Sequence, residues 1–254
     1  MTFTPGATIR SEAAAQVFVD DLDHVVLEKA DLHHLMTVRR LRAGEAVIAA
    51  DGTGSWRRCA VDDNRNVVAD GEIEFEPEPA QSLTVAFAPV KGDRSEWAVA
   101  KLTELGADRI VALATERGAV RWGSAAAGRA LERWERVAKE ACCQARRVRL
   151  PVIAGPSDVA SFLNEHGVGI AVPGGPALGA GTSTLLIGPE GGWSEAELAL
   201  RFEPVGLAGN VLRTETAAIS AGVLLEAIRA GTVALVENND SNVSSGTATS
   251  EDQR

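Results

Sequence analysis

Up to about Phe75 the hydrophobic positions fall in short, strand-length runs. Glu45–Asp51 encloses an unbroken apolar stretch and ends in an Asp-Gly turn, and Trp56–Val61 and Asn66–Phe75 carry further strand patterns. One helix is expected over Leu32–Leu41, with Asp31 as its N-cap. The polar, proline-bearing segment Glu76–Ser82 reads as a linker. From Leu83 onward strands and helices alternate. Strands are expected at Leu83–Pro89, Arg109–Thr115, Val152–Ala154, Gly169–Pro173, Ser183–Gly188 and Val205–Ala208. Helices are expected at Arg94–Gly106, Arg129–Arg146, Ser157–His166, Ser194–Leu200 and Thr214–Ala230. Such alternation implies a mostly parallel sheet covered by helices. The chain therefore divides into a small β-rich unit over residues 1–75, a linker over 76–82 and a larger α/β unit over 83–236. The Ser-, Asn-, Thr- and Asp-rich tail over 237–254 has little to bury and is expected to be disordered.

Composition narrows the function classes. Hydrophobic residues make up 45% of the 254, ample for a buried core, and tyrosine is absent, which argues against a stacking platform for many bases. No apolar run approaches the ~20 residues a membrane span requires, and the N-terminus lacks the basic and apolar regions of a signal peptide. Cys59, Cys142 and Cys143 form no disulfide framework and have no metal-ligand spacing with the histidines, as expected of reduced thiols in a cytoplasmic protein. A net charge of −10 argues against indiscriminate coating of nucleic acid. Between Arg117 and Arg149, however, cations at 117, 121, 129, 133, 136, 139, 146, 147 and 149 face acids only at 132, 135 and 140. A local basic face is all that an RNA enzyme needs.

The chemistry is concentrated in two blocks near the C-terminus. Leu185–Ser194 contains Gly188-Pro189-Glu190-Gly191-Gly192, and Leu207–Ala218 contains Arg213-Thr214-Glu215-Thr216. Each runs from an apolar strand through a turn into a helix, and glycine turns expose backbone N–H groups and admit a flat ligand close to the main chain. Ser194 with Glu197 forms a capping box that starts a helix just after the first block. No Gly-Lys-Ser/Thr follows, so this is not a P-loop, and the spacing is not G-x-G-x-x-G. Two such turns close in sequence suggest one small-molecule pocket.

These blocks resemble the bacterial 16S rRNA (uracil-N(3)) methyltransferase family, a branch of the trefoil-knotted SPOUT methyltransferases. Ala208 stands where the family usually has glycine, and Cys143 where many relatives have glutamate. The resemblance extends through His34, Val38, Arg40, Gly44, Asp51-Gly52, Lys91-Gly92-Asp93-Arg94, Glu104-Leu105-Gly106, Glu116-Arg117, Arg133-Trp134, Gln144, Arg147 and Pro151. It implies a PUA-like RNA-binding module ahead of a SPOUT domain whose mostly parallel sheet carries a trefoil knot, assembled as a homodimer. It also implies methylation of the ring N(3) of a specific uridine in 16S rRNA of the small ribosomal subunit, with S-adenosylmethionine as cofactor and no metal.

On that resemblance the cofactor is expected against Val172, Gly188, Pro189, Gly191, Gly192, Leu207, Gly209, Leu212, Thr214, Thr216 and Ala217. Arg213 is expected to stabilise the deprotonated uracil, with Glu190 or Glu215 accepting its proton. Arg39, Arg40, Arg42, Arg117, Arg146 and Arg147 are expected to face RNA. Two alternatives stand beside this reading: a knotted methyltransferase acting on tRNA, and a non-catalytic ribosome-assembly factor.

Overall fold

The computed structural model describes residues 5–121 and 123–233 and contains two sheets. The N-terminal part begins with α1 (Pro5–Glu12) and β1 (Ala15–Phe18). A short helix α2 (Lys29–His33) runs into a π-type turn over His34–Val38, followed by β2 (Ala46–Ala50), β3 (Ser55–Val61) and β4 (Val67–Phe75). The sheet order is β1-β2-β3-β4, with β1 parallel to β2 and the rest antiparallel. Both faces of β2 are covered, which explains its unbroken apolar run. Val47 and Ala49 pack with Cys59, Leu35 and Met36, while Ile48 and Ala50 pack with Trp56, Ala13 and Val148. Val148 belongs to the second part of the chain, so this cluster also joins the two sheets.

The second part comprises β5 (Thr84–Phe87), α3 (Arg94–Glu104), β6 (Arg109–Ala114), α4 (Ser124–Ala145), β7 (Val152–Asp158), β8 (Val168–Ala171), β9 (Thr184–Ile187), α5 (Glu195–Leu198), β10 (Glu203–Val205) and α6 (Thr214–Arg229). Its sheet is wholly parallel, in the order β10-β8-β9-β5-β6-β7. The central strands β5 and β9 are buried throughout. One face, carrying Val85, Phe87, Ile110, Leu185 and Ile187, receives Val99 and Leu102 of α3, Trp134 of α4 and Leu225 of α6. Phe87 and Trp134 stack with centroids 5.0 Å apart. The other face, carrying Ala86, Val111 and Leu186, is closed by Val159, Phe162 and Trp193.

Several expectations need correction. The helix expected over Leu32–Leu41 starts at Lys29, as α2, and its N-cap is Glu28. Asp31 lies inside the first turn, where an acid is favourable through the helix dipole without being the cap. The helix expected over Ser157–His166 is absent: Ser157 and Asp158 extend β7 by pairing with Leu113 and Ala114 of β6, and only Val159–Phe162 forms a short 3-10 turn. The ladder with β6 outcompetes local propensity there. Helix α4 starts five residues before the expected Arg129, and α1 and β1 have no counterpart among the expectations. The predicted tail over 237–254 lies outside the described residues.

Among the described residues no helix is long and apolar enough to cross a membrane, and no group of three or more His, Cys, Asp or Glu side chains is placed to hold a metal ion.

Candidate active site

Because β5, β6 and β9 run parallel and in register, their C-terminal ends lie side by side. The segments that follow them, 88–93, 115–121 and 188–194, therefore share one edge of the sheet. Open parallel sheets bind ligands at this edge. The segment after β10 reaches it too, passing beside the loop after β8, where Gly206 N donates to Pro176 O at 2.7 Å.

A cleft opens between the two glycine-bearing blocks. Its apolar lining is Ala171, Val172, Ile187, Leu207, Leu212 and Ala217, and the turn residues Gly188, Pro189, Glu190 and Gly192 line it together with Thr214. Of the sequence-selected cofactor residues, Val172, Gly188, Pro189, Gly192, Leu207, Leu212, Thr214 and Ala217 line this cleft. Gly191, Gly209 and Thr216 are not on its wall. A Cβ at Gly191 would point instead at Arg117, 3.3 Å from that residue's Cβ and carbonyl oxygen. Trp193, Asn210 and Val211 line the cleft without having been singled out from sequence.

The turn is held rigidly. Trp193 Nε1 donates to Ala171 O at 2.8 Å, pinning the turn to β8. Gly188 lies against that indole, and a Cβ there would sit 2.8 Å from the ring. Ser194 and Glu197 form the expected capping box, and Glu197 Oε1 also accepts from Glu116 N at 3.0 Å. Arg117 Nη1 donates to Trp193 O at 3.0 Å. This arginine therefore braces the turn from behind.

Three charged residues from distant parts of the chain meet at the mouth. Arg94, at the start of α3, donates through Nη1 to Glu215 Oε1 at 2.9 Å and reaches Glu190 Oε1 at 3.4 Å. Glu215 is 5% exposed, and its Oε2 is buried with no partner among the described residues. Glu190, by contrast, has a side chain 57% exposed. The hydrogen bond to Glu215 is the main influence holding the Arg94 guanidinium above its ordinary pKa. Arg213 is the N-cap residue of α6 and is exposed; among the described residues no partner engages its side chain.

The six arginines expected at RNA divide sharply. Arg40 and Arg42 are exposed, with guanidinia that engage nothing among the described residues. Arg39 Nη2 donates to Ala14 O at 2.6 Å. Arg146 donates to Cys143 O at 2.6 Å and Ala13 O at 2.8 Å, and Arg147 to Thr103 O at 2.8 Å and Ala107 O at 2.9 Å. The end of α4 leaves carbonyls that need donors, and these two side chains turn inward to supply them and neighbouring carbonyls. Burial, with Arg39 adding to it, pulls the Arg146 pKa down. Burial likewise pushes the Cys142 thiol up to about 12 and Cys143 to about 11, so neither is a ready thiolate.

Residues 76–226 match the family described as RNA methyltransferase domain, and residues 27–74 match the RNA methyltransferase PUA domain. The chain belongs to the RNA methyltransferase family. Within that family it is 34% identical over 210 residues to the ribosomal RNA small subunit methyltransferase E of Mycobacterium bovis, covering 73% of this chain and 79% of the relative. The protein of the same name from Synechocystis is 31% identical over 218 residues, covering 76% and 69%. A Legionella pneumophila methyltransferase structure with bound SAM superposes with a TM-score of 0.72 at 27% identity, covering 84% of this chain and 96% of that one. The parallel α/β unit and the preceding PUA-type domain are thus those of an RNA methyltransferase.

Proposed function

We propose that this protein transfers a methyl group from S-adenosylmethionine to the ring N(3) of a uridine in 16S rRNA of the small ribosomal subunit. The observation that carries the reading is the cleft. Backbone of the 188–192 turn and of the 207–212 segment faces an apolar wall, with an unengaged arginine at the adjoining helix start. A flat purine fits such a wall, and the open space beside Gly192, where nothing lies within 4 Å of where a Cβ would stand, leaves room for ribose and sulfonium. When bound, S-adenosylmethionine supplies an electrophilic methyl on a sulfonium sulfur.

The chain's own residues then have two tasks. N(3) of uracil is a poor nucleophile until it loses its proton, and the resulting charge spreads onto the ring oxygens. Arg213 supplies a fixed guanidinium to that charge, reinforced by the positive end of α6. Glu190 or Glu215 accepts the proton. Residues before Phe75 grip the RNA, with Arg40 and Arg42 as phosphate contacts. Exposed Trp97 on α3 and Val223 on α6, two helices that pack together, support assembly with a second copy. An rRNA substrate also implies that the protein works in the cytoplasm.

The test is methylation of purified small subunits by the purified protein, with mass spectrometry of the rRNA from a deletion strain. Loss of one N(3)-methyluridine, restored by the wild-type chain, is the expected result. Unchanged modification would favour an assembly factor, and a missing tRNA methylation would favour the knotted tRNA enzymes.

A further inference from the structure

The two candidate proton acceptors are not equivalent, and what separates them is Arg94. One guanidinium nitrogen serves both carboxylates, at 2.9 Å for Glu215 and 3.4 Å for Glu190. Glu215 is buried, off the wall of the cleft, and committed to Arg94 through one oxygen while the other has no partner among the described residues. A carboxylate in that position is expensive to leave uncompensated, so it fixes the arginine firmly. Glu190 lines the cleft, is largely exposed and receives the longer, weaker contact. Other charges stand nearby: Arg117 braces the same turn from behind, and Arg213 lies two residues before Glu215. Among the described residues, Arg94 alone is ion-paired to the candidate acceptors.

We infer that Arg94 is a positioning residue: anchored on buried Glu215, it holds Glu190 across the mouth of the cleft as the group that takes the uracil N(3) proton. This rests on the proposed function. In the step itself the proton passes from N(3) to a Glu190 carboxylate oxygen and the N–H electron pair remains on N(3); Glu190 then returns the proton to water. Glu215 takes no part in proton transfer. Its role is to be a buried anion that orients a cation, and the cation in turn orients the acceptor. Loose attachment suits Glu190, because an acceptor locked in a short ion pair would lose basicity.

The design of the test follows from the buried pair. Arg94→Gln leaves Glu215 charged and unpaired and is expected to lower the melting temperature. Arg94→Gln/Glu215→Gln removes both charges and is expected to restore it. If Arg94 were merely structural, that double variant would recover activity together with stability. On the present inference it remains slow in single-turnover methylation of 30S subunits, by about tenfold or more, as does Glu190→Gln, which melts like wild type. S-adenosylmethionine affinity by calorimetry stays within a few-fold of wild type in both. Adding Glu190→Gln to the double variant is expected to slow it little further, because both changes disable one device. Wild-type turnover by the stable double variant, or a defect confined to cofactor affinity, would overturn the inference. Failure of the wild-type protein to methylate small subunits would instead sink the proposed function, while the recovery of melting temperature would still report on the Arg94–Glu215 pair.

Discussion

Thr214 Oγ1 donates to the carbonyl of Gly188 at 3.0 Å, tying the first residue of α6 directly to the turn after β9. The two blocks that stand apart in sequence are thereby tied together in the lining of one cleft. Thr214 is buried, so removing its hydroxyl leaves that carbonyl without this donor. Thr214→Val is expected to lose about 1 kcal/mol of stability and to weaken cofactor binding severalfold, while Thr214→Ser retains most of both. Thermal unfolding and calorimetry with S-adenosylmethionine check the pair. Equal behaviour of Val and Ser would show that the bond does not shape the cleft.

The glycines of the first block differ in what surrounds them. Gly188→Ala places a methyl 2.8 Å from the rigid Trp193 indole and should displace it from its bond to Ala171 O. Overpacking of this kind costs about 1–3 kcal/mol, and cofactor affinity should fall with it. Gly191→Ala meets Arg117 at 3.3 Å, outside the cleft, and should be milder on both counts. Measured side by side, a larger loss of affinity at position 191 than at 188 would reverse this assignment.

Much of the architecture was legible beforehand because buried parallel strands such as Thr84–Phe87 and Thr184–Ile187 are short and continuously apolar. The glycine blocks were legible for a local reason too: a turn that must expose its backbone writes glycine into the sequence. Arg94 stood in the sequence only as part of Lys91-Gly92-Asp93-Arg94 and was given no role, because its partners lie 96 and 121 residues away and only the adjacency of β5 and β9 brings them together. Arg146 and Arg147 failed differently. A basic pair after a helix reads the same whether it turns outward to phosphate or inward to carbonyls, and here it turns inward.

That distinction makes Arg40 and Arg147 a discriminating pair. Arg147 bridges Thr103 O, Ala107 O and Asp108, and hydrogen bonds from charged donors contribute about 1.5–3 kcal/mol each. Arg147→Ala should therefore melt markedly earlier, with little change in the salt dependence of RNA binding. Arg40 holds a left-handed backbone at φ 58° with no side-chain partner among the described residues. Relieving that conformation with Arg40→Gly should stabilise the fold by about 1 kcal/mol. RNA affinity should weaken, and the slope of log affinity against log salt should shrink by about one. An Arg40→Gly protein that binds 30S subunits as wild type does would remove the phosphate contact from the proposal.

Arg213 carries the strongest kinetic expectation. Its exposed guanidinium is engaged by nothing among the described residues and stands at the start of α6, beside Leu212 and Thr214 of the cleft. A cation there is most useful where negative charge develops, on the uracil rather than on the cofactor. Arg213→Ala should slow single-turnover methylation by on the order of a hundredfold, with a much smaller change in S-adenosylmethionine affinity. Arg213→Lys, which keeps the charge but loses the planar fork, should fall between. The sign of the pH effect follows from what the arginine does. It makes N(3) deprotonation easier, so its loss matters most where uridine is neutral and matters less as rising pH ionises uridine unaided. The ratio of wild-type to Arg213→Ala rates on 30S subunits should therefore shrink as pH increases. Parallel profiles, or a defect that disappears at saturating cofactor, would assign Arg213 to cofactor binding instead.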